Sequence, residues 1–176
     1  MRKHLIGHLF GAAAAVVVAG LVTACASAPT AGELPDQSAV AEVSLVDVDG
    51  NPHSLAEFRG KVVLLDFWAT WCAPCLESLP LYDTWQQDLG DQGLVVVAVS
   101  VDEEDAPVAS FAAKYAPHVT VLRDAKGDAA SRFGLPKMPT AFVLDRSGRI
   151  VEAHPGFSEE EAQTLRKSLV QRLAAP

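Results

Sequence analysis

The stretch from residue 62 to residue 75, VVLLDFWATWCAPC, constrains the fold of this chain more than any other part of it. Its first half, VVLLDFW, is apolar except for Asp66, which predicts a strand that is covered on both faces. After Cys72 the apolar residues recur at steps of three and four, which predicts a helix; they are Leu76, Leu79, Tyr82, Trp85 and Leu89. Cys72 and Cys75 therefore lie where a buried strand gives way to a helix.

The position of the two cysteines predicts redox chemistry. We expect the helix to begin at Cys72 or just after it, with Pro74 fixing its first turn. N–H groups at a helix start lack partners and carry a partial positive charge, and thiol pKa values fall at such places. Cys72 is then a candidate nucleophile, and Cys75, one turn inside, can attack a disulfide formed on Cys72. Because a bridge across so short a loop stabilises a fold little, we expect a reactive pair.

A metal pair is the alternative for the same two cysteines. A structural zinc site takes four ligands, commonly from two such pairs or from one pair with histidines. The chain has no second pair, and His53, His118 and His154 are scattered along it. We therefore predict neither a metal site nor a cofactor.

Asp66 stands out because it is an acid within the most apolar strand. It alternates with Leu64 and Trp68, so the three side chains share one strand face. Burial penalises a carboxylate and raises its pKa. A group of this kind near the dithiol can accept the proton of Cys75 as that thiol attacks, and can then return it. The alternative is an acid near a strand end that reaches solvent.

The first 24 residues have the layout of an export signal, with Arg2 and Lys3 followed by an apolar run from residue 5 to residue 21. Residues 22–25, Val-Thr-Ala-Cys, resemble the bacterial lipobox, which predicts a lipoprotein whose Cys25 carries acyl chains such as palmitate. An uncleaved membrane anchor is the alternative. In either case we expect residues 25–41 to be a flexible tether and the domain to lie outside the cytoplasm.

Residues 42–176 are predicted to form one α/β domain. The apolar share of the chain, 49%, suffices for a core, and its net charge of −8 disfavours nucleic acid as a partner. The predicted elements follow in order: a hairpin at 43–48 turning at Asp49-Gly50, strand 62–68, the helix after Cys72 ending at Gly90 and Gly93, strand 94–101, a helix at about 105–116, strand 119–122, helix 129–133, a hairpin of 140–144 and 150–154, and helix 158–173 with a Ser158/Glu161 capping box. This order predicts a three-layer sandwich around a partly parallel sheet.

The stretch VVLLDFWATWCAPC resembles the active site of the thioredoxin superfamily. With the preceding DVDGNPHSLAEFRGK, the chain resembles the TlpA/ResA-like branch of membrane-anchored thiol-disulfide oxidoreductases over residues 42–174 or so. The resemblance implies a thioredoxin-like fold, with a mixed central sheet, an N-terminal β-hairpin and an extra βα insertion. It also implies that Cys72 is the nucleophile and Cys75 the resolving thiol.

The resemblance extends to two further segments. KMPTAF matches the cis-proline loop of the family, which implies that Pro139 faces the cysteines and that the backbone of Met138 pairs with an extended substrate. Trp71 joins them as a substrate-binding candidate. VSVDEED matches a segment that carries an active-site glutamate in part of the branch, and Glu103 would be that residue. The alternative is that residues 102–105 only favour the N-terminus of the helix near Pro107.

The chain departs from the branch at two positions. Many members have asparagine where Asp66 stands, and many have an acid three residues past the second cysteine, where this chain has Ser78. These departures leave the subfamily and the redox potential open.

The predicted function is that of an extracytoplasmic, lipid-anchored thiol-disulfide oxidoreductase. The resemblance implies reduction of disulfides in exported proteins, such as apocytochrome c before haem attachment, with electrons from a membrane partner. The same site can run backwards as an oxidant, depending on its potential. A thiol peroxidase is a second alternative, although its usual threonine and proline are replaced by Ala69 and Leu65. A third is a non-catalytic binding module that uses a groove around Trp71 and Pro139.

Overall fold

A computed structural model describes residues 34–36, 43–103 and 106–175. The predicted export signal, the lipidation site Cys25 and most of the tether lie outside the described residues. Within the described ranges, no helix combines the length and the apolar character that crossing a bilayer requires.

Seven strands in this part of the chain form one mixed sheet in the order β2-β1-β5-β4-β3-β6-β7. Strand β3, in the interior of the sheet, pairs in parallel with β4 and antiparallel with β6. The strands are β1 (Ser44–Asp47), β2 (Pro52–Ser54), β3 (Val62–Trp68), β4 (Leu94–Ser100), β5 (Thr120–Arg123), β6 (Thr140–Leu144) and β7 (Ile150–Pro155). The N-terminal hairpin, the parallel core and the late antiparallel hairpin are confirmed.

Among the described residues, four α-helices cover the sheet, together with 3-10 turns at Leu55–Phe58 and Gly90–Gln92. The helices are α1 (Cys75–Leu89), α2 (Val108–Tyr115), α3 (Asp128–Phe133) and α4 (Glu159–Ala174). Helices α1 and α4 pack on one face, against alternate side chains such as Leu64 and Val96. Helix α3 packs on the other face, against Val63 and Phe67. The three-layer sandwich is confirmed, and every residue of β3 is buried.

Helix α1 begins later than predicted, at Cys75 rather than at Cys72. The N–H of Cys75 donates to the carbonyl of Cys72 at 3.0 Å, and that of Leu76 donates to Ala73 at 3.1 Å, as in a tight turn. Pro74 has no N–H to give, so the first bond of α-helical spacing runs from Ser78 to Pro74. Cys75 is therefore the first residue of α1, not a residue one turn inside it.

Two other local predictions were wrong in detail. Helix α2 begins at Val108, three residues later than predicted, since it follows Pro107. At α4 only half of the capping box forms, because Ser158 accepts from the N–H of Glu161 while the Glu161 side chain binds His154. A complete capping box occurs instead at Ser54 and Glu57, where it was not predicted.

Candidate active site

Cys72 and Cys75 form a disulfide between the end of β3 and the start of α1. Their Cα atoms are 5.3 Å apart. Cys75 is fully buried, whereas Cys72 keeps 4% of its surface exposed, so any solvent contact of the pair is made through Cys72. In the oxidised protein Cys72 is thus the less buried residue of the pair, although its exposed fraction is small.

The N-terminus of α1 lies next to the two cysteines and contributes to their electrostatic environment. The axis of α1 begins at Cys75, so its partial positive charge lies next to both sulfurs. Fewer N–H groups lack a partner at this helix start than we predicted, because the N–H groups of Cys75 and Leu76 donate to carbonyls of the preceding turn. The partial positive charge of a helix N-terminus is of the kind that favours the thiolate form of a neighbouring free cysteine.

Asp66 is completely buried, and neither of its carboxyl oxygens has a hydrogen-bond partner among the described residues. Desolvation raises the pKa of Asp66 well above its usual value of 3.8. Burial also raises the pKa of Tyr82 in α1, and the nearby charge of Asp66 adds to that effect. The alternative of a solvent-reaching acid is therefore wrong.

Asp66 belongs to the face of the sheet on which the disulfide lies. Its neighbour on that face, Trp68, is buried in one cluster with Cys72 and Cys75. The indole N–H of Trp68 also lacks a partner among the described residues. The cluster that packs around the disulfide is thus apolar, and Asp66 is an acidic side chain buried on the same face of the sheet.

The loop before β6 borders the same cluster. The Met138–Pro139 peptide bond is cis, as the resemblance implies. Met138 is half-buried and packs against the cluster that contains both cysteines. The carbonyl of Pro139 accepts from the N–H of Gly156 at 2.7 Å, which ties this loop to the end of β7.

Two apolar side chains adjacent in sequence to the cysteines are exposed. Trp71 is 69% exposed, and Leu76 is 39% exposed although its spacing predicted a core position. Trp71 directly precedes Cys72 and Leu76 directly follows Cys75, so both are candidates for contact with a partner of the disulfide.

Glu103 is exposed, and its carbonyl, not its carboxylate, takes part in the described contacts, accepting from Arg123 at 2.9 Å. The preceding residue, Asp102, is the one whose side chain contacts the segment before the disulfide. Asp102 is 2% exposed and binds Thr70, two residues before Cys72. The alternative that residues 102–105 only favour a helix start does not hold for Asp102, because its carboxylate binds Thr70 instead. Glu104 and Asp105 lie outside the described residues.

Sequence reasoning missed Asp102 and Thr70, although a signal for them existed. Because β3 and β4 are parallel, their carboxyl ends lie at the same edge of the sheet. Polar residues directly after neighbouring parallel strands therefore meet. Among the described residues, no group of three or more His, Cys, Asp and Glu side chains is placed to hold a metal ion.

Comparison with known proteins places this geometry in a family. The model of the Redoxin family matches residues 30–169. The thiol-disulfide oxidoreductase ResA of Geobacillus thermodenitrificans is 32% identical over 121 residues, which cover 66% of this chain and 67% of that protein.

Two solved structures share the fold. A candidate thiol:disulfide interchange protein DsbE from Chlorobium tepidum is 32% identical, with a TM-score of 0.73, over 81% of this chain and 99% of that one. The exposed lipoprotein thioredoxin Etrx1 from Streptococcus pneumoniae is 35% identical, with a TM-score of 0.58, over 71% of this chain and 98% of that one. The chain belongs to the Redoxin family and is a thioredoxin-like thiol-disulfide oxidoreductase related to ResA.

Proposed function

We propose that this enzyme reduces disulfides of exported proteins through Cys72 and Cys75, while a lipid on Cys25 holds it at the outer side of a membrane. The observation that carries the chemistry is the graded burial of the pair above an unpartnered acid. Cys72 is the sulfur with residual exposure, Cys75 is closed off, and Asp66 is buried on the same side of the sheet.

The reductive cycle begins with both cysteines as thiols. The Cys72 thiolate attacks one sulfur of a substrate disulfide, forming a mixed disulfide and releasing the other substrate sulfur as a thiolate. Cys75 then loses its proton to ionised Asp66 and attacks the Cys72 sulfur, which releases the second substrate thiolate. Two electrons have passed to the substrate, and the Cys72–Cys75 disulfide has formed.

Asp66 suits the proton step because of its environment. A base acts only in its ionised form, and it is most effective when its pKa lies near the working pH. Burial without hydrogen bonds raises the pKa of Asp66 from its acidic range toward that region. In the reverse step, when a donor opens the disulfide, protonated Asp66 returns its proton to the Cys75 thiolate.

The substrate surface is proposed to comprise Trp71, Leu76 and the Met138–Pro139 loop. Trp71 and Leu76 offer apolar contact beside Cys72. The backbone N–H and carbonyl of Met138 take part in none of the hydrogen bonds described for residues 43–103 and 106–175, so they are available to an extended peptide. Exported chains with cysteines, such as apocytochrome c before haem attachment, fit such a surface.

The proposed location rests on sequence. Residues 22–25 resemble a lipobox, and the S. pneumoniae relative is an exposed lipoprotein thioredoxin. The donor that reduces the Cys72–Cys75 disulfide would then be a dithiol protein of the membrane. Labelled palmitate should enter the full chain and be lost in Cys25→Ser, while Cys72→Ser keeps the label; equal labelling of both variants would contradict the anchor.

A trapping experiment tests the chemistry. In Cys75→Ser the mixed disulfide on Cys72 cannot be resolved, so adducts with envelope proteins should accumulate. Dithiothreitol should cleave these adducts by reducing the mixed disulfide. Cys72→Ser, the matched control, lacks the attacking sulfur and should form none. Adducts on Cys72→Ser but not on Cys75→Ser would reverse the assigned roles. Failure of the wild-type protein to accelerate the reduction of insulin, with dithiothreitol as the reductant that recycles the enzyme, would contradict the proposed function.

A further inference from the structure

Asp102 has the most complete set of hydrogen bonds near the disulfide. Its carboxylate accepts from the N–H of Thr70 at 2.9 and 3.2 Å, from the Thr70 hydroxyl at 2.7 Å and from the Ser100 hydroxyl at 2.9 Å. Asp102 is buried, and no Lys, Arg or His side chain of the described residues forms an ion pair with it. We call Asp102, Thr70 and Ser100 the Asp102 network.

The network joins the two strand ends that meet below the disulfide. Trp68, the last residue of β3, pairs with Ser100, the last residue of β4, and the N–H of Val101 donates to the Trp68 carbonyl at 2.9 Å. The backbone pairing of β3 with β4 ends at these residues. Beyond them, the side chain of Asp102 connects the two segments by accepting hydrogen bonds from Thr70. The turn after β3 is therefore tied, through Thr70, to the residue two places beyond the end of β4.

Thr70 lies within the short segment that carries Cys72. The N–H of Cys72 donates to the Ala69 carbonyl at 3.1 Å, so Ala69, Thr70 and Cys72 belong to one tight turn. Cys75, in contrast, is fixed by α1. The position of Cys72 relative to Cys75 thus depends on what fixes the turn. Ala69 and Cys72 pack in the cluster around Trp68, and among the described residues the network supplies the side-chain hydrogen bonds that hold the turn from outside it.

We propose that Asp102 is a positioning residue of the redox centre, which holds the turn at Thr70 so that the Cys72 sulfur stays within bonding reach of Cys75. The inference rests on the proposed role of this pair. Two groups held in place react as if at very high concentration. A turn released from Asp102 must be ordered each time the disulfide closes, so closure becomes less favourable while opening is not impeded.

The expected consequence is a shift of the equilibrium with glutathione. In wild-type protein the equilibrium constant for disulfide formation includes the benefit of a fixed turn. Asp102→Asn replaces one accepting carboxylate oxygen by an N–H₂ group and removes the charge, so Thr70 or Ser100 loses the charge-assisted hydrogen bond that it donates to that oxygen. We expect this change to favour the dithiol roughly three- to tenfold, and a tenfold change corresponds to about 30 mV for a two-electron couple.

Three further variants separate positioning from charge and from general destabilisation. Thr70→Val removes the hydroxyl donor but keeps the Asp102 charge, and should shift the equilibrium in the same direction. Thr70→Ser restores the donor and should return it toward the wild-type value. Asp83→Asn is the matched control, since Asp83 is also buried and accepts from a backbone N–H, that of His118, but lies more than two helical turns beyond Cys75.

The glutathione titration of all five proteins decides the matter. The inference holds when Asp102→Asn and Thr70→Val shift together while Asp83→Asn stays at the wild-type value. It is overturned when Thr70→Val matches wild type, because the effect of Asp102 is then one of charge, or when Asp83→Asn shifts as far as Asp102→Asn. A wild-type pair that does not titrate at all would instead overturn the proposed function, and with it the ground for this inference.

Discussion

Asp66 and Asp102 are two buried acids on neighbouring parts of the same sheet, and they differ in almost every contact. Asp66 lies inside β3 and has no hydrogen-bond partner among the described residues. Asp102 follows β4 and accepts from three donors. Full burial without partners penalises the charge, whereas donors directed at a carboxylate stabilise it. Both positions carry the same side chain; the surroundings of Asp66 fit the proton acceptor that we propose, whereas those of Asp102 fit the positioning residue that we propose.

This contrast shows how one fold can hold both stability and reactivity. A buried carboxylate with its donors in place contributes to the structure, since removing it leaves those donors unsatisfied. A buried carboxylate without donors opposes folding whenever it is ionised. The protein tolerates the second kind at Asp66, on the face that carries the disulfide.

The largest expected effect concerns the proton step at Asp66. Asp66→Asn cannot accept a proton, so resolution of the mixed disulfide by Cys75 should slow by about 100-fold or more at neutral pH. In wild-type protein the rate should rise with pH through a midpoint well above 3.8, because only ionised Asp66 is a base. Stopped-flow measurement of thiol release gives both.

Asp83→Asn serves as the control for that experiment, since it alters another buried carboxylate away from the disulfide. A resolution rate in Asp66→Asn equal to that of this control would remove Asp66 from the mechanism. An unchanged pH profile in Asp66→Asn would do the same.

The second effect is on stability and concerns Asp102. Asp102→Asn should lower the free energy of unfolding of the oxidised protein by about 1–3 kcal/mol, because Thr70 or Ser100 loses a hydrogen bond to a buried carboxylate. Urea denaturation at pH 7 measures the change. A loss below about 0.5 kcal/mol would show that the Asp102 network contributes little to the fold.

The third effect concerns how stability depends on pH at Asp66. The folded pKa of Asp66 is raised above the unfolded value, so protonated Asp66 is favoured in the folded state and wild-type stability falls as pH rises from about 3.8 to the folded pKa. Asp66→Asn lacks this loss. Relative to wild type it should gain about 1.4 kcal/mol for each pH unit in that window.

Denaturation of both proteins at a series of pH values tests this sign. A stability difference between Asp66→Asn and wild type that is constant between pH 4 and pH 8 would mean that Asp66 titrates alike in the folded and unfolded chains.

The smallest effect concerns one member of the Asp102 network. Ser100→Ala removes the hydroxyl that donates to Asp102 and also accepts from the Asp102 N–H at 3.1 Å. Thr70 remains bound, so the loss should be about 0.5–1.5 kcal/mol in urea denaturation, less than for Asp102→Asn. A larger loss than in Asp102→Asn would mean that Ser100, rather than Asp102, is the centre of the network.

Local pattern predicted the parts of the site that are close in sequence. The apolar run of β3 predicted burial at Asp66, and the spacing of Cys72 and Cys75 before a helix predicted the reactive pair. The exact start of α1 was not predicted, since both cysteines could begin a helix and the tight turn around Pro74 decides between them.

Contacts between distant segments could not be predicted in the same way. Thr70 and Asp102 are 32 residues apart, and they meet only because β3 and β4 pair in register to their last residues. The capping box at Ser158 failed for a related reason, since His154 on β7 offers Glu161 a partner that the helix pattern does not contain. In both cases a tertiary contact decides where the side chain lies.

The most direct test of the account is the titration of the Asp66 carboxyl itself, followed by carbon NMR in protein labelled at aspartate, with Asp66→Asn to assign the signal. The account predicts a midpoint well above 3.8, because a buried carboxylate without donors is costly. A midpoint near 3.8 would mean that Asp66 is solvated or partnered in solution, and would contradict its place as the proton acceptor of Cys75.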